Sequence, residues 1–284
     1  MTGLSARMDY FRSIYHEPSV SRALAEGLFA PSNVEPHPPL YGYRNGIRNV
    51  DNGAVHLSNP HNEAMGNCVQ CGGAALLALE TITGVPSWRA LTYAGVEPCK
   101  VTRIDIAIDV MASPIGAGQV LKALEQGLAK TRFKAWRRIK GGGDDTGDTL
   151  YIGGRESTRQ IRIYDKAAEQ GLTLNWWRFE MQFTEERAAQ VWNAIKSYDD
   201  MPELLPFACS LFASMLDFPE WAGWRRLLGS NMVYEWEEVP RTVTDTEAWL
   251  MSQVAPSFRK AFDRDGDWRF LEAFINRVKG SQMG

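Results

Sequence analysis

The sequence predicts an α+β fold, in which an antiparallel-sheet domain flanked by helices precedes a mostly helical C-terminal region. Three observations lead to this prediction. Residues 101–110 (VTRIDIAIDV) alternate strictly between branched apolar residues and other side chains, as a half-buried strand does. Residues 116–129 carry apolar side chains at helical spacing. Strand-like and helical stretches between about 40 and 200 lack regular βαβ alternation, which favours an antiparallel sheet.

The first third of the chain contains few strong periodic patterns. Residues 1–40 are only partly periodic, so we predict an N-terminal arm there, with one helix over 19–29. Residues 41–60 alternate weakly and predict two short strands joined by a turn at Asn52-Gly53. A helix over 72–83 follows.

The remaining elements follow in chain order after the strand at 101–110. We expect a helix at 116–129, strands at 132–140, 148–154, 159–166 and 175–183, and helices at 184–197 and near 203–216. The glycine-rich stretch 141–147 would form a turn between the first two of these strands. The predicted organisation is therefore an arm (1–40), an α+β domain (41–200) and a helical region (201–284).

The composition of the 284 residues is that of an ordinary globular protein, with 44% hydrophobic and 23% charged residues. The net charge of −3 argues against coating of DNA by bulk charge, but it leaves room for a locally basic groove. No apolar run approaches the roughly 20 residues of a membrane helix, and the first residues lack a signal-peptide pattern. With four cysteines and no secretory signal, we expect reduced thiols and a cytoplasmic location.

Three of the predicted strands present charged side chains on one face, because side chains alternate across a strand. The first strand presents Asp105 and Asp109. The strand at 159–166 presents Arg162, Tyr164 and Lys166, and the strand at 175–183 presents Arg178, Glu180 and Gln182. If the strands share a sheet, these faces coincide.

Such a surface has the residue types needed for phosphoryl transfer. Carboxylates from Asp105, Asp109 and Glu180 would suit one divalent ion, Mg²⁺ or Mn²⁺. The cations would hold a phosphate, and Tyr164 would supply a phenol as nucleophile. The alternative is a solvated strand face, with the carboxylates as ion-pair partners of nearby arginines and Tyr164 as a packed aromatic.

A second basic stretch, residues 130–140 (KTRFKAWRRIK), interleaves cations with aromatic rings. Cations contact DNA phosphates and rings stack on bases, so this pattern predicts DNA contacts. The alternative is an edge strand protected by its charge. The predicted DNA-contacting residues of this stretch and of the following strands are Arg132, Lys134, Trp136, Arg137, Arg138, Lys140, Arg155 and Arg159.

Cysteine and histidine offer little further chemistry. Cys68 and Cys71 have the spacing of a metal or redox pair, but no second such pair exists, so we expect core residues. All four histidines lie within the first 61 residues, and none forms a His-hydrophobe-His pair. The sequence therefore offers no obvious general base for Tyr164, and metal and arginine would have to activate the phenol.

The order TRIDIAIDV … LYIGGRESTRQIRIYDKAAE … WWRFEMQF resembles the Rep_trans replication initiation factors of filamentous phages and rolling-circle plasmids, to which some conjugative relaxases are related. The resemblance covers about residues 40–250 and is strongest at 149–183. It implies an enzyme that nicks one strand of a double-stranded origin and stays linked to the 5′ phosphate through a tyrosine. The matching nucleophile is Tyr164, and the matching acidic positions are Asp105, Asp109 and Glu180.

The resemblance also implies the partners. These are origin DNA in double- and single-stranded form, a host helicase and a host polymerase. The expected location is the cytoplasm of a bacterial cell, with no membrane partner. A homodimer is compatible with the resemblance. Arg162, Lys166 and Arg178 would steady the non-bridging oxygens of the attacked phosphate. Two other functions stay open at this point: a metal-dependent nuclease that uses water, and a DNA-binding repressor without cleavage.

Overall fold

The computed structural model describes residues 3–17, 33–93, 98–141, 147–154, 156–197, 203–229, 233–237, 251, 255–265, 269, 272 and 276. The predicted helix over 19–29, most of the turn at 141–147 and Arg155 lie outside these residues. Among the described helices, none is both long and apolar enough to cross a membrane.

A ten-stranded antiparallel sheet forms the centre of the described fold, which confirms the predicted α+β class. Its strands lie side by side in the order β2-β3-β4-β5-β1-β6-β11-β10-β9-β8. Their bounds are β1 Gly3–Tyr15, β2 Val34–Pro36, β3 Asn45–Asn49, β4 Val55–Ser58, β5 Asn67–Gly72, β6 Lys100–Met111, β8 Trp136–Lys140, β9 Asp148–Ile152, β10 Arg159–Asp165 and β11 Trp176–Thr184. Two short strands, β7 (Lys130–Thr131) and β12 (Leu216–Asp217), pair separately.

Helices cover one side of this sheet, which we call the helix face. Helix α5 (Glu185–Ser197) and helix α6 (Leu205–Met215) pack on β6, where Ile104, Ile106 and Ile108 are fully buried. Burial of each such side chain contributes roughly 1.5–3 kcal/mol. The helices are α1 Gly73–Thr83, α2 Ser87–Tyr93, α3 Ala117–Glu125, α4 Lys166–Glu169, α5 Glu185–Ser197, α6 Leu205–Met215, α7 Ala222–Leu228 and α8 Ala255–Asp265.

The N-terminal residues depart from the sequence prediction. Residues 3–15 do not form an arm but the strand β1, which lies between β5 and β6 near the middle of the sheet. The register of β1 against β6 shifts between Met8 and Tyr10, as at a β-bulge around Asp9. The bulge interrupts the apolar alternation, so the strand pattern could not be followed across it.

The chain divides into two compact units, Met1–Trp236 and Glu237–Gly284. Helices α6 and α7, which follow the predicted boundary at residue 200, lie in the first unit, and their apolar side chains join the main hydrophobic core. Pro206 at the start of α6 fits a helix N-terminus, and Phe207, Leu211 and Phe212 supply the buried side. In the second unit the described helix is α8.

Candidate active site

The side of the sheet opposite the helix face, which we call the polar face, brings the predicted residues together in two rows. In the tyrosine row, Ser5, Asp109, Arg178, Tyr164 and Thr149 lie opposite one another on successive strands. In the glutamate row, the corresponding residues are Arg7, Ala107, Glu180, Arg162, Tyr151 and Arg137. Paired residues of neighbouring antiparallel strands point to the same side, so each row lines one face.

The hydroxyl of Tyr164 lies among polar groups. It donates a hydrogen bond to Glu180 Oε2 at 3.2 Å. Arg162 lies over the Tyr164 ring at 5.1 Å from its centroid, and the Lys166 ammonium lies at 5.7 Å. Tyr164 also lines a cavity of about 200 Å³ together with Thr149, Tyr151 and Arg162. A substrate group that enters this cavity therefore approaches the phenol directly.

The environment of Tyr164 keeps the phenol protonated. Burial raises the pKa of Tyr164 well above its ordinary value, and the negative charge of Glu180 raises it further. The charge of Arg178 acts in the opposite direction. A nucleophilic attack by this oxygen therefore needs a group that takes its proton, and the carboxylate of Glu180 accepts the hydroxyl hydrogen bond.

Glu180 is the most enclosed acid next to the tyrosine. It is 2% exposed, and both of its oxygens accept from Arg162 Nη2, at 2.6 and 2.7 Å. The pair aligns the carboxylate toward Tyr164, since the two strands place Arg162 and Glu180 directly opposite each other. Glu180 was predicted as a metal ligand, but here it contacts the phenol.

Arg178 is the buried arginine of the tyrosine row and lies directly opposite Tyr164. Its Nε and Nη2 donate to the two oxygens of Asp109 at 2.8 and 2.9 Å, and its Nη1 donates to Asp9 Oδ1 at 2.8 Å. The Trp176 indole also donates to Asp109, at 2.8 Å. These bonds hold the Arg178 guanidinium in place opposite Tyr164, so its donors are not free to turn toward a ligand.

The third predicted carboxylate has its own arginine. Asp105 accepts from Arg103 Nε at 2.9 Å and from Arg103 Nη2 at 2.5 Å, and it is 2% exposed. Burial raises the pKa of Asp105 to about 7, against the lowering effect of Arg103. The pair lies beside Tyr10, whose ring is 4.3 Å from the Arg103 guanidinium.

These pairs bear on the predicted Mg²⁺ or Mn²⁺ site. Asp105 and Asp109 lie four positions apart on β6, on either side of the Ala107–Glu180 pair. Each of Asp105, Asp109 and Glu180 is paired with a different arginine. Among the described residues, no three His, Cys, Asp or Glu side chains form a metal-ligand group. The three carboxylates in this arrangement do not fit one metal ion held by all of them.

The residues after Tyr164 leave the polar face as the strand ends. Asp165 has the opposite parity, and its side chain caps α4 by accepting from the backbone N–H of Ala168 at 2.9 Å. Lys166 begins α4 and pairs with Glu169. Lys166 therefore brings positive charge to the Tyr164 ring, while part of its charge is balanced within the helix.

The predicted DNA-binding residues divide between the two sides of the sheet. Arg137 lies on the polar face, 4.8 Å from the centroid of the Tyr151 ring. Arg138 points the other way and makes two bonds to Asp148, at 2.7 and 2.6 Å. Arg159 lies on the helix face, 5.1 Å from the Trp236 ring, where burial lowers its pKa. Arg137 is exposed, and so are Arg132, Lys134, Trp136 and Lys140.

This division predicts that Arg137 and Arg138 contribute unequally to DNA binding. Arg137→Gln should weaken binding of a single-stranded oligonucleotide and lower the slope of log affinity against log salt by about 0.7 for one lost phosphate contact. Arg138→Gln should leave that slope unchanged, because its charge is already paired with Asp148. Fluorescence anisotropy at several NaCl concentrations measures both. An equal loss of slope in the two variants would show that DNA contacts both sides of the strand.

The raised pKa of Asp105 predicts a dependence of stability on pH. The pKa of an aspartate in the unfolded chain is about 3.9, so the folded protein holds this proton more tightly. The resulting stabilisation is full at low pH and is lost as the pH rises through about 7. Asp105→Asn, which does not ionise, should therefore gain free energy of unfolding relative to the wild type between pH 5 and pH 8. Urea unfolding of both proteins at both pH values tests this. A difference in their free energies of unfolding that does not change with pH would contradict it.

Sequence reasoning missed three contributors to this face. Arg7 and Asp9 were assigned to the arm, although Ser5, Arg7, Tyr10 and Arg12 all pair with polar-face positions of β6. The polar side chains of 5–12 on either side of the bulge could have revealed them. Trp176 was treated as an ordinary strand residue. The cysteines behave as predicted, since Cys68 and Cys71 are free and buried and burial raises the pKa of the Cys68 thiol to about 11.

Comparison with known proteins identifies the family of this chain. The sequence model of Rep_trans, described as replication initiation factor, matches residues 99–275. Among solved structures, the chain is similar to a rolling circle replication initiator protein from Geobacillus stearothermophilus, with a TM-score of 0.67 and 25% identity. That alignment covers 80% of this chain and 96% of the other. No curated protein matches the chain. Because the family match spans more than half of its residues, the chain belongs to the Rep_trans family of replication initiation factors.

Proposed function

We propose that this protein starts rolling-circle replication by nicking one strand of a double-stranded origin, with Tyr164 as the nucleophile. The product is a 5′-phosphotyrosyl link and a free 3′ hydroxyl. The observation that carries the proposal is the hydrogen bond from the Tyr164 hydroxyl to Glu180 beside a cavity of the polar face. The family membership and the similarity to a rolling circle initiator support it.

The attacking step uses groups that the polar face already aligns. The Tyr164 oxygen forms a bond to phosphorus while its proton passes to the Glu180 carboxylate, 3.2 Å away. The bond between phosphorus and the 3′ oxygen breaks, and that oxygen takes a proton from water. The link that forms stores the phosphodiester bond energy, so the reverse step rejoins a strand.

The positive charge for this step comes from side chains around the phenol. Arg162 is the best placed, because its side chain is 39% exposed while it pairs with Glu180. A phosphate in the cavity can therefore reach the outer N–H groups of Arg162. Lys166 adds charge near the ring, and Arg178 acts as a fixed charge on the neighbouring strand. Such preorganised charge stabilises the additional negative charge of the transition state.

No step of this proposal passes through a metal, because the three predicted carboxylates are each paired with a different arginine. Asp105 and Asp109 act instead by holding Arg103 and Arg178 in place. Glu180 is the acid that contacts the reacting oxygen.

The DNA strand would cross the polar face from the side of β8. Arg137 and Tyr151 lie in the glutamate row and extend the face toward that edge. Arg137 would contact a phosphate, and the exposed Lys134, Trp136 and Lys140 would contact the strand beyond it. A host polymerase would extend the 3′ hydroxyl, and a separate host helicase would unwind the duplex.

The proposal is tested on a supercoiled plasmid that carries the origin of the protein's own element. The full chain is incubated with it in buffer containing Mn²⁺, and the products are separated in SDS. We expect relaxed circles with protein attached to the 5′ end of the nicked strand. Relaxed circles without attached protein would indicate water as the nucleophile. An intact plasmid that still binds the protein would indicate a repressor.

A further inference from the structure

Tyr41 is an exposed aromatic residue over the polar face that the proposed chemistry does not use. It lies in the loop between β2 and β3, and the Arg12 guanidinium lies over its ring, 4.6 Å from the ring centroid. Arg12 pairs with Arg103 of β6, whose partner on β11 is Thr184, four residues after Glu180. A strand rises about 3.4 Å per residue and neighbouring strands are about 4.8 Å apart, so the backbone of Arg12 lies roughly 17 Å from that of Glu180. Tyr41 and Arg12 thus belong to the face that carries the nucleophile.

The backbone of Tyr41 has an unfavourable conformation. Leu40 and Tyr43 close a two-residue turn, in which the Tyr43 N–H donates to the Leu40 carbonyl at 2.9 Å. Tyr41 and Gly42 are the central residues, with φ of 54° and 83°. Glycine and asparagine suit such positions, whereas a bulky residue with positive φ is an outlier. Within the described chain the Tyr41 hydroxyl makes no hydrogen bond, and the residue is 53% exposed. Burial therefore does not explain the strain, which is typical of ligand-binding positions.

The positive charge beside the Tyr41 ring is poorly compensated. Arg12 lies directly opposite Arg103 on the neighbouring strand, and like charges in such pairs are unfavourable. Arg103 is paired with Asp105, whereas Arg12 Nε donates to the Thr102 hydroxyl at 2.7 Å. In the described ranges Arg12 has no carboxylate partner, and its side chain is only half-buried. The exposed ring therefore lies next to a cation whose charge an anionic ligand can balance.

We infer that the Tyr41 ring stacks on a base of the single-stranded DNA, about five nucleotides from the phosphate that Tyr164 attacks, while Arg12 attracts the phosphate chain. The inference rests on the proposed function, which makes a DNA strand the ligand of this face. Every base has an aromatic face that stacks on an exposed ring, and a nearby cation attracts the phosphates. A stacked strand rises about 3.4 Å per nucleotide, so roughly 17 Å corresponds to about five nucleotides. Tyr41 thus fixes the position of the strand and takes no part in the chemical step.

The test measures binding without cleavage. Full-length protein with Tyr164→Phe, the parent, is titrated into a fluorescent single-stranded oligonucleotide from the origin, and anisotropy is followed at several NaCl concentrations. Adding Tyr41→Asn should weaken binding about ten-fold with an unchanged salt slope, because a stacked ring is lost but no cation. Tyr41→Phe should bind as the parent does, and Arg12→Gln should lower the slope by about 0.7. Leu77→Ala, which trims an exposed apolar side chain of α1, is the matched control and should bind as the parent does.

Abasic nucleotides identify the stacked base. One abasic site is moved along the oligonucleotide, and each version is measured with the parent and with Tyr41→Asn. At one position, about five nucleotides from the nicking site, the missing base should weaken the parent about ten-fold and Tyr41→Asn hardly further. Asparagine adopts positive φ readily, so the turn should persist in this variant. If Tyr41→Asn does not fold, Tyr41→Gly carries the same expectation.

Three results would overturn the inference. One is an unchanged affinity in Tyr41→Asn; if sedimentation then showed a dimer in the parent and a monomer in the variant, the surface would bind a second copy of the chain instead. Another is an equal loss in Tyr41→Phe and Tyr41→Asn, which would assign the contact to the hydroxyl. The third is a loss in Tyr41→Asn that simply adds to that of every abasic site. Tyr41-dependent stacking in a protein that forms no adduct as wild type would sink the nicking proposal alone, whereas adduct formation with Tyr41-independent binding would sink this inference alone.

Discussion

Tyr164→Phe is expected to abolish the covalent protein–DNA link and to lower strand cleavage by on the order of 10⁴-fold or more. The change removes the attacking oxygen, and no second hydroxyl occupies its place beside Glu180 among the described contacts of that acid. Labelled origin oligonucleotide, separated on a denaturing protein gel, measures the link, and the released fragment measures cleavage. The protein should stay folded, since a single 3.2 Å hydrogen bond is lost, with a cost of about 1 kcal/mol.

A neighbouring tyrosine provides the matched control for this variant. Tyr151 lines the same cavity and lies opposite Arg162 in the glutamate row. Tyr151→Phe removes the same atom from the same surface, but it should form the link at close to the wild-type rate. A link that persists in Tyr164→Phe would assign the nucleophile to another residue. Loss of the link with cleavage retained would assign it to water.

Glu180→Gln is expected to lower nicking by about 10²–10⁴-fold, the usual contribution of a general base. Glutamine keeps the shape and an acceptor oxygen for Tyr164, but it cannot take the phenolic proton. Oligonucleotide affinity should be equal or higher, because Arg162 loses its counter-charge. Single-turnover nicking and anisotropy separate the two effects. The free energy of unfolding should fall by about 1–3 kcal/mol, since one member of an ion pair becomes neutral.

Asp165 supplies the control acid for Glu180. It is next to the nucleophile in sequence, but its side chain caps α4 instead of joining the polar face. Asp165→Asn keeps a good helix cap and should nick as the wild type does. Nicking within about three-fold of the wild type in folded Glu180→Gln would show that another group takes the proton.

Strand parity was the part of the site that the sequence could predict. The alternation of 101–110, 159–166 and 175–183 placed Asp109, Arg178 and Tyr164 on one side, and the registers bring these residues into one row. The sheet class followed from the same alternation. A pattern of this kind depends only on the backbone, which is why it carries over to the folded chain.

The partners of each charge could not be predicted in the same way. Parity says which face a carboxylate lies on, but not whether its nearest neighbour is an arginine or a metal. Asp109 accepts from both Arg178 and Trp176, and the direction of such long side chains depends on packing with residues far away in sequence. The bulge near Asp9 hid the strand pattern of β1, and with it one of the two carboxylates that hold Arg178.

The bond between Asp9 and Arg178 joins residues 169 positions apart. During synthesis Asp9 and Asp109 leave the ribosome before Arg178, so in any nascent chain that ends before residue 178 these two carboxylates lack the guanidinium that they share. Pairings this distant in sequence slow the final assembly of a sheet. The polar face around Tyr164 is therefore complete only after β11, which carries Arg178 and Glu180, has joined the sheet.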